Sequence, residues 1–267
     1  MSTANHRFFC QKTLHLSGLI FVLIGRIIKN GDDMKRQEYI DRIFEEFQLV
    51  KVLSDHNGGQ TWQLRHNRLG RDVVLHSFDR PLEIYRWLQS IRTDLLPEVY
   101  EVYTAEDGMV VLEEFVSGMT VAEILETGLF NRRGATRILR RLCKALQLLH
   151  ENGFVHRDVK TENVMVDREG RVVLIDFNAY RRYTEVAEKD TVQLGTVGYS
   201  APEQFGLSAS DARTDIYAAG VLLNIMLTGQ HPTTKLAKGR LGRIISRCTH
   251  ISPEKRFSTV TALAKAL

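Results

Sequence analysis

Apolar residues recur at helical spacing just after residue 34. Between Lys35 and Phe47 they include Tyr39, Ile40 and Ile43, which is the repeat of one helix face. The pattern therefore predicts a short amphipathic helix over residues 34–48.

The chain before this helix is different in character. Its apolar run, residues 14–28, is interrupted by His15 and Arg26, and the uninterrupted part is shorter than the roughly 18–20 residues that a membrane-spanning helix needs. We expect residues 1–33 to lie outside the fold. A signal-type apolar region, membrane association through residues 14–28, and a native start at Met34 are the alternatives.

Short β-branched and apolar runs separated by Gly- and Asn-containing turns follow, which is typical of antiparallel strands. One short helix is predicted among them, around residues 82–91. The predicted strands are Leu49–Leu53, Thr61–Arg65, Val73–Phe78, Val99–Tyr103 and Met109–Phe115.

The rest of the chain is mainly helical in pattern. One apolar stripe comprises Ile138, Leu142, Leu146 and Leu149, and residues 216–227 are apolar on nearly every side, as in a buried helix. Two short strands, Val164–Val166 and Val172–Ile175, lie between them. The predicted architecture is α+β, with a small β-rich lobe followed by a larger helical lobe.

Composition excludes several classes of protein. The chain has 267 residues, of which 43% are hydrophobic and 25% charged, so it is neither disordered nor collagen-like. A net charge of +4 is too small an excess to predict nucleic-acid binding. Cys10, Cys143 and Cys248 form no CxxC pair, so we expect free thiols and a cytoplasmic location.

One group of residues indicates a catalytic site. Asp158 is followed by Lys160 and Asn163, and the predicted strand pair then delivers a second acid, Asp176. Together these residues resemble the catalytic loop and the metal-binding loop of the protein kinase family.

The resemblance continues in the same order along the chain. Residues 195–203 (GTVGYSAPE) resemble the end of a kinase activation segment, and residues 253–257 resemble the last helical motif of the family. The similarity covers roughly residues 49–267 and is closest to bacterial serine/threonine kinases. It implies a two-lobed kinase-like fold, with lobes over about 49–116 and 117–267.

The resemblance also implies roles for individual residues. Asp158 would orient the substrate hydroxyl, Lys160 would stabilise the moving phosphate, and Asn163 and Asp176 would hold Mg²⁺ beside ATP. The implied partner is an unknown protein substrate. Asp215 would hydrogen-bond the catalytic-loop backbone, although a plain N-cap is an equal alternative.

Other implied features concern architecture and regulation. Glu203 and Arg256 resemble the buried ion pair of the family. The segment between Asp176 and Glu203 would regulate activity through hydroxyl groups that accept phosphate, or these groups are simply exposed in a loop. They are Thr184, Thr191 and Thr196.

The amino-terminal lobe departs from the family pattern. Ser54, His56 and Gly59 stand at the three glycine positions of the phosphate-binding loop, with Gly58 beside the last. A loop whose residues carry side chains cannot bring its backbone as close to phosphates as a glycine loop can. Asn178 replaces a glycine of the family's metal-binding loop, and if this position needs a positive φ, Asn is the least costly choice other than glycine.

His76 stands where the family has its phosphate-anchoring lysine. Its expected acidic partner is Glu83 in the short helix, and the alternative is an ordinary exposed strand residue. Lys51 and Arg65 are candidate substitute cations on neighbouring strands.

The resemblance also outlines an adenine pocket, although apolar residues there would equally serve as core. Its contacts would come from the side chains of Val74 and Met165 and from the backbone of Glu114 and Val116.

Two hypotheses follow. The intact Asp158, Lys160, Asn163 and Asp176 favour a serine/threonine kinase that transfers phosphate from ATP, whereas His76 and the altered glycine loop favour a pseudokinase that acts as a binding or scaffold domain.

Overall fold

The computed structural model describes residues 34–56, 59–183, 198–205 and 211–267. The chain divides into two compact units. One contains the described residues up to Arg92 together with Pro97–Phe115, and the other contains Thr93–Leu96 and Val116–Leu267.

The first unit is built on a five-stranded antiparallel sheet in the order β1-β2-β3-β5-β4. Sequential neighbours pair except that β3 pairs with β5, which places β4 at an edge. The strands and helices of this unit are α1 (Arg36–Glu46), β1 (Phe47–His56), β2 (Gly59–His66), β3 (Asp72–Phe78), α2 (Glu83–Ser90), β4 (Val99–Ala105) and β5 (Gly108–Glu114).

Helix α1 covers one face of this sheet. Tyr39, Ile40 and Ile43 are buried against residues of β2, β3 and β5, because helical spacing turns all three side chains to the same side. The ring of Tyr39 stacks on Tyr103 of β4 at 4.1 Å between centroids. The helix that the apolar spacing predicts is therefore part of the core of the first unit.

The second unit is mainly helical, with short strands between its first helices. Its elements are β6 (Gly118–Thr120), α3 (Val121–Thr127), α4 (Arg132–Glu151), β7 (Phe154–Val155), β8 (Val164–Asp167), β9 (Val172–Leu174), β10 (Arg181–Arg182), α5 (Ala212–Thr228), α6 (Gly239–Cys248) and α7 (Val260–Ala266).

Helix α5 is buried along most of its length, as its nearly uniform apolar sequence predicts. Gly220 of α5 lies so close to α6 that an added Cβ would come within 2.3 Å of the Cys248 Cβ. Cys143 and Cys248 are free and buried, and burial raises the pKa of Cys143 to about 12. These two thiols pack as small apolar side chains.

Most predicted elements are present with ends shifted by a few residues. The fold is the predicted α+β type, with an antiparallel sheet in one unit and helices dominating the other. The apolar run 14–28 lies outside the described residues. Within the described part of the chain, no helix combines the length and the apolar character needed to cross a membrane.

The packing of α1 leads to a stability prediction. Ile43→Ala should lower the free energy of unfolding by about 2–5 kcal/mol, because it leaves a cavity beneath the sheet. Glu45→Ala, on the exposed face of the same helix, is the matched control and should change little. Urea denaturation of both variants measures the difference, and equal stabilities would show that α1 is not an integral part of the core.

Candidate active site

The loop before β8 and the residues after β9 come together because these two strands pair antiparallel, with Val164 opposite Leu174. Just past the pair, the backbone N–H of Ile175 donates to the carbonyl oxygen of Asn163 at 2.9 Å. Asp176 therefore follows directly after a residue whose backbone is hydrogen-bonded to that of Asn163. The sequence-predicted loop residues and the second acid thus share one site.

Three of the predicted residues are in direct contact. Lys160 Nζ lies 2.7 Å from Asp158 Oδ2. Asn163 Nδ2 donates to the same oxygen at 2.9 Å and to the Asp158 backbone carbonyl, also at 2.9 Å. A cation and an amide thus fix the orientation of one carboxylate.

The backbone of the site is unusual at two positions. Arg157 has φ 69° and Asp176 has φ 64°, and these are the only non-glycine residues with positive φ in the described chain. The left-handed region costs an ordinary residue roughly 1–2 kcal/mol. Position 178 therefore does not need a positive φ, since Asp176 adopts it instead; the N–H of Asn178 donates to Asp176 Oδ1 at 3.2 Å.

Asp215 anchors the loop that carries Asp158. Its carboxylate accepts hydrogen bonds from the backbone N–H of His156 at 3.0 Å and of Arg157 at 2.8 Å, and it lies 2.8 Å from His150 Nε2. The residue is fully buried in the first turn of α5, whose N-cap is Asp211. The plain N-cap alternative for Asp215 is therefore wrong.

The environment of Asp215 favours its charged form. Burial alone raises the pKa of a carboxyl group, but the contacts with His150 and His156 outweigh it and hold the pKa of Asp215 below its ordinary value. The loop is thus held by an ionised group with hydrogen bonds to the backbone.

His156 links the loop to the strand that precedes Asp176. Its Nε2 lies 3.3 Å from the carbonyl oxygen of Ile175, and its ring meets Phe177 edge-on at 5.3 Å. Both contacts support the backbone on either side of Asp176.

Residues 198–205, part of which resembles the end of a kinase activation segment, also contact this loop. Gln204 Nε2 donates to the carbonyl oxygen of Arg157 at 2.9 Å, and the hydroxyl groups of Tyr199 and Thr161 lie 2.9 Å apart. Thr184, Thr191 and Thr196 lie outside the described residues.

Glu203 and Arg256 form a bidentate ion pair in the interior. Arg256 Nη1 and Nη2 lie 2.6 and 2.8 Å from the two carboxylate oxygens. Thr214 donates a further hydrogen bond to Glu203, and Arg256 lies over the ring of Tyr217. Such a network fixes Glu203 against α5.

The chemistry of Asn163 and Asp176 fits Mg²⁺. Asn163 uses its amide nitrogen on Asp158, which leaves Oδ1 as the atom to offer, and Asp176 supplies a carboxylate. Mg²⁺ is commonly held by one or two such oxygen ligands together with substrate phosphates. Among the described residues, no group of three or more His, Cys, Asp or Glu side chains forms a different metal site.

In the first unit, His76 differs from both expectations. It is only 6% exposed, so it is not an ordinary exposed strand residue. Its Nε2 lies 2.9 Å from Glu113 Oε1 on β5, and its Nδ1 lies 3.0 Å from Thr61 Oγ1 on β2. The acidic partner is thus Glu113 rather than Glu83, which is exposed at the first residue of α2.

The glycine-loop region forms the hairpin of β1 and β2. Ser54 pairs with Thr61 and His56 pairs with Gly59, while Gly58 lies outside the described residues. Gly59 runs against β3, where an added Cβ would come within 3.0 Å of the Ser77 carbonyl oxygen. Close strand packing is therefore one reason for a glycine here.

The proposed adenine contacts are divided between the units. Val74 is buried on β3, and Glu114 ends β5 with its backbone N–H donating to Glu98 at 2.8 Å. Val116 and Met165, the latter on β8, belong to the second unit.

The candidate substitute cations are not equivalent. Arg65 is engaged by Asp72, with Nε 2.6 Å from Oδ1, and this contact raises the pKa of the guanidinium while lowering that of Asp72. Lys51 is exposed on β1. The guanidinium of Arg65 is therefore already paired with Asp72 on the neighbouring strand β3.

Comparison with known proteins identifies the family. The protein kinase domain model matches residues 82–261, and the chain belongs to the protein kinase family. Similar proteins include bacterial serine/threonine-protein kinases.

Three relatives illustrate the similarity. Serine/threonine-protein kinase PknB of Mycolicibacterium smegmatis is 35% identical over 57% of this chain and 25% of its own length. A probable serine/threonine-protein kinase of Clostridium perfringens, CPE1738, is 35% identical over 70% of this chain and 29% of its own. A probable PknB of Corynebacterium glutamicum is 36% identical over 46% and 20%. The chain therefore spans about a quarter of the length of these relatives.

Several residues of the site were not predicted from the sequence. They are Thr61, Glu113, His150, Thr161, Tyr199 and Gln204. The position of Glu113 could have been inferred, because strand alternation places its side chain on the same face as that of Val111, which pairs with His76. Gln204 and His150 meet their partners through tertiary contacts that no local pattern shows.

The burial of Asp215 leads to a pH-dependent prediction. Asp215→Asn should destabilise the protein by about 3 kcal/mol at pH 7, because an amide nitrogen would face backbone N–H donors. Since the folded-state pKa of Asp215 is lowered, its contribution is present above the unfolded value of about 3.9 and is lost as pH falls through the lower folded value.

The difference in unfolding free energy between wild type and Asp215→Asn should therefore narrow below about pH 4. Chemical denaturation across pH 2.5–7 tests this range, which brackets the ordinary carboxyl pKa of about 3.9. Asp94→Asn, an exposed acid of the same unit, serves as the control. A difference that stays constant with pH would show that folding does not lower the pKa of Asp215.

Proposed function

We propose that the chain is the catalytic domain of a serine/threonine protein kinase, which transfers the γ-phosphate of ATP to a hydroxyl group of a protein. The observation that carries the proposal is the cluster of Asp158, Lys160 and Asn163 on a loop anchored by Asp215. Phosphoryl transfer depends on positioning and charge neutralisation, which such a rigid cluster can provide.

Asp158 would orient the substrate hydroxyl and accept its proton as the phosphate leaves ATP. Lys160, 2.7 Å from Asp158, would stabilise charge on the transferred group. The spacing of Asp158, Lys160 and Asn163, with Thr196 downstream, supports serine or threonine as the acceptor.

Asn163 and Asp176 would hold Mg²⁺, which neutralises charge on the phosphate oxygens when bound. In the same unit, Val116 and Met165 would contact the adenine. In the other unit, the hairpin from Ser54 to Gly59, together with Val74, His76 and the Glu114 backbone, would contact the nucleotide.

The histidine at position 76 is expected to lower the rate of phosphate transfer. An imidazole lacks the permanent charge of the lysine that most family members carry at this place, and loss of one preorganised electrostatic contact commonly costs about 10²–10³-fold. We therefore expect a slow kinase, and a pseudokinase is the alternative that the activity measurement distinguishes.

Removal of the central acids tests the proposal. Asp158→Asn and Asp176→Asn should each lower phosphate transfer at least about 10²-fold, because they remove proton acceptance and metal ligation respectively. Incorporation of labelled phosphate from ATP with Mg²⁺ into a generic protein substrate and into the chain itself measures the loss.

Asp79→Asn makes the same chemical change at an exposed position between β3 and α2 and should retain wild-type transfer. Wild-type protein that binds Mg·ATP without transferring phosphate would establish the pseudokinase instead. Transfer that persists undiminished in Asp158→Asn would refute the assigned role of this residue.

The activation segment would regulate this activity. A phosphate on Thr184 or Thr191 adds roughly two negative charges that an arginine could pair with, and Arg181 and Arg182 lie just upstream on β10. Mass spectrometry after incubation with Mg·ATP should find phosphate in residues 184–196 of wild type and none in Asp158→Asn. Wild type that transfers phosphate to other proteins but carries none in this segment would contradict this part of the proposal.

A further inference from the structure

The second unit concentrates positive charge in two stretches of its sequence. Residues 128–150 contain six Lys and Arg residues and no Asp or Glu, and residues 216–253 contain five and again no acid. The net charge of the whole chain is only +4, so the acids that balance these cations lie elsewhere. A local excess of one sign attracts partners of the opposite sign.

The fold brings parts of these stretches together. A Cβ added at Gly239, where α6 begins, would lie 3.9 Å from Nη2 of Arg132, where α4 begins. Arg240 reaches the end of α7, because its Nη2 donates to the carbonyl oxygen of Ala266 at 2.6 Å. We call the exposed cations around this junction the basic surface. Its members are Arg132, Arg133, Lys235, Lys238, Arg240 and Lys265.

Two large apolar side chains are exposed beside these cations. Leu236 lies between two lysines of the basic surface and is 42% exposed, and Leu129 precedes α4 and is 55% exposed. Leu129 lies against the loop that leads to Leu236, since a Cβ added at Gly229 would come within 3.2 Å of Leu129 Cδ2. The surface therefore combines positive charge with protruding apolar groups.

The loop that carries Leu236 is fixed by a buried amide. Asn224 of α5 donates through Nδ2 to the carbonyl oxygens of Gln230 and Lys235, each at 2.7 Å, and its Oδ1 accepts from the backbone N–H of Ala237 at 2.9 Å. The residues on both sides of Leu236 are thus anchored to the interior. The exposure of this leucine is set by the fold and does not depend on loop motion.

This combination favours the surface of an anionic membrane as the partner. Lys and Arg side chains are attracted to anionic headgroups, and apolar side chains between them enter the boundary between headgroups and acyl chains. A single-stranded nucleic acid would instead favour aromatic side chains that stack on bases. Phe130 is the one Phe, Tyr or Trp within residues 128–150 and 229–240, and it is half-buried.

We propose that the second unit docks on anionic lipid: the basic surface contacts the headgroups, and Leu129 and Leu236 insert between them. The inference goes beyond the proposed function and does not depend on phosphate transfer. It also differs from membrane association through residues 14–28, because it assigns the contact to α4, α6, α7 and the loop before α6.

Partitioning of the full chain into lipid vesicles tests the proposal. Co-sedimentation over a range of lipid concentrations gives the partition constant for phosphatidylcholine vesicles and for vesicles in which about one third of the lipid is phosphatidylglycerol. At physiological ionic strength, we expect the wild type to prefer the anionic vesicles at least about 30-fold, because each basic side chain near such a surface strengthens binding roughly 5-fold.

Two variants separate the contributions of charge and apolar insertion. The double exchange Lys235→Gln with Lys238→Gln should reduce the preference for anionic vesicles by about 10- to 30-fold. Leu236→Ser keeps the charge and should weaken binding to these vesicles about 3- to 10-fold, since it removes an apolar group from the lipid boundary.

Each variant has a matched control in the first unit. Arg68→Gln with Arg71→Gln removes two exposed cations with the same spacing, and Leu49→Ser changes a leucine that is 50% exposed on β1. Both controls should bind the vesicles within about 2-fold of the wild type, because the proposed contact does not involve these residues.

Several outcomes would overturn the proposal. One is a wild type without preference for the anionic vesicles, and another is an equal loss of preference in the lysine variant and its arginine control. An unchanged preference in the lysine variant would assign any membrane binding to another part of the chain. Binding of duplex DNA or polyglutamate without binding of the vesicles would show that the surface serves a different acidic partner.

Discussion

The carboxylate of Asp215 accepts two backbone hydrogen bonds and contacts one histidine in the interior of the second unit, and the loop that carries the candidate chemistry depends on these contacts. A buried charge costs several kcal/mol unless it is well hydrogen-bonded. Asp215 offsets that cost with groups from α4 and from the loop itself. The same carboxylate that stabilises the interior therefore fixes the backbone just before Asp158.

The first unit solves the problem of a buried polar residue in another way. His76 is held from two neighbouring strands, by Glu113 on β5 and Thr61 on β2. Strand pairing sets these positions, so the orientation of the imidazole is fixed by the register of the sheet. The acid expected from the short helix, Glu83, is not needed for this purpose.

The sequence predicts those features that depend on residues close to one another along the chain. The loop from Asp158 to Asn163, the β8–β9 hairpin and the buried helix α5 follow from spacing and alternation within short segments. The partner of His76 lies 37 residues away, and the packing of α1 depends on strands that follow it, so neither is visible in a local pattern. Asn178 would suit a positive φ because Asn tolerates it, but the turn places the positive φ on Asp176, and the residue type at 178 does not show this.

The left-handed conformations of Arg157 and Asp176 have a consequence for engineering. Glycine adopts this backbone conformation without the steric cost that other residues meet, so glycine at either position would relieve local strain. Selection of variants for heat resistance alone would therefore favour exchanges at positions that flank or supply the proposed chemistry. Thermal robustness and the proposed chemistry would compete at these two residues, and stabilising exchanges are better sought elsewhere, for example on the exposed face of α1.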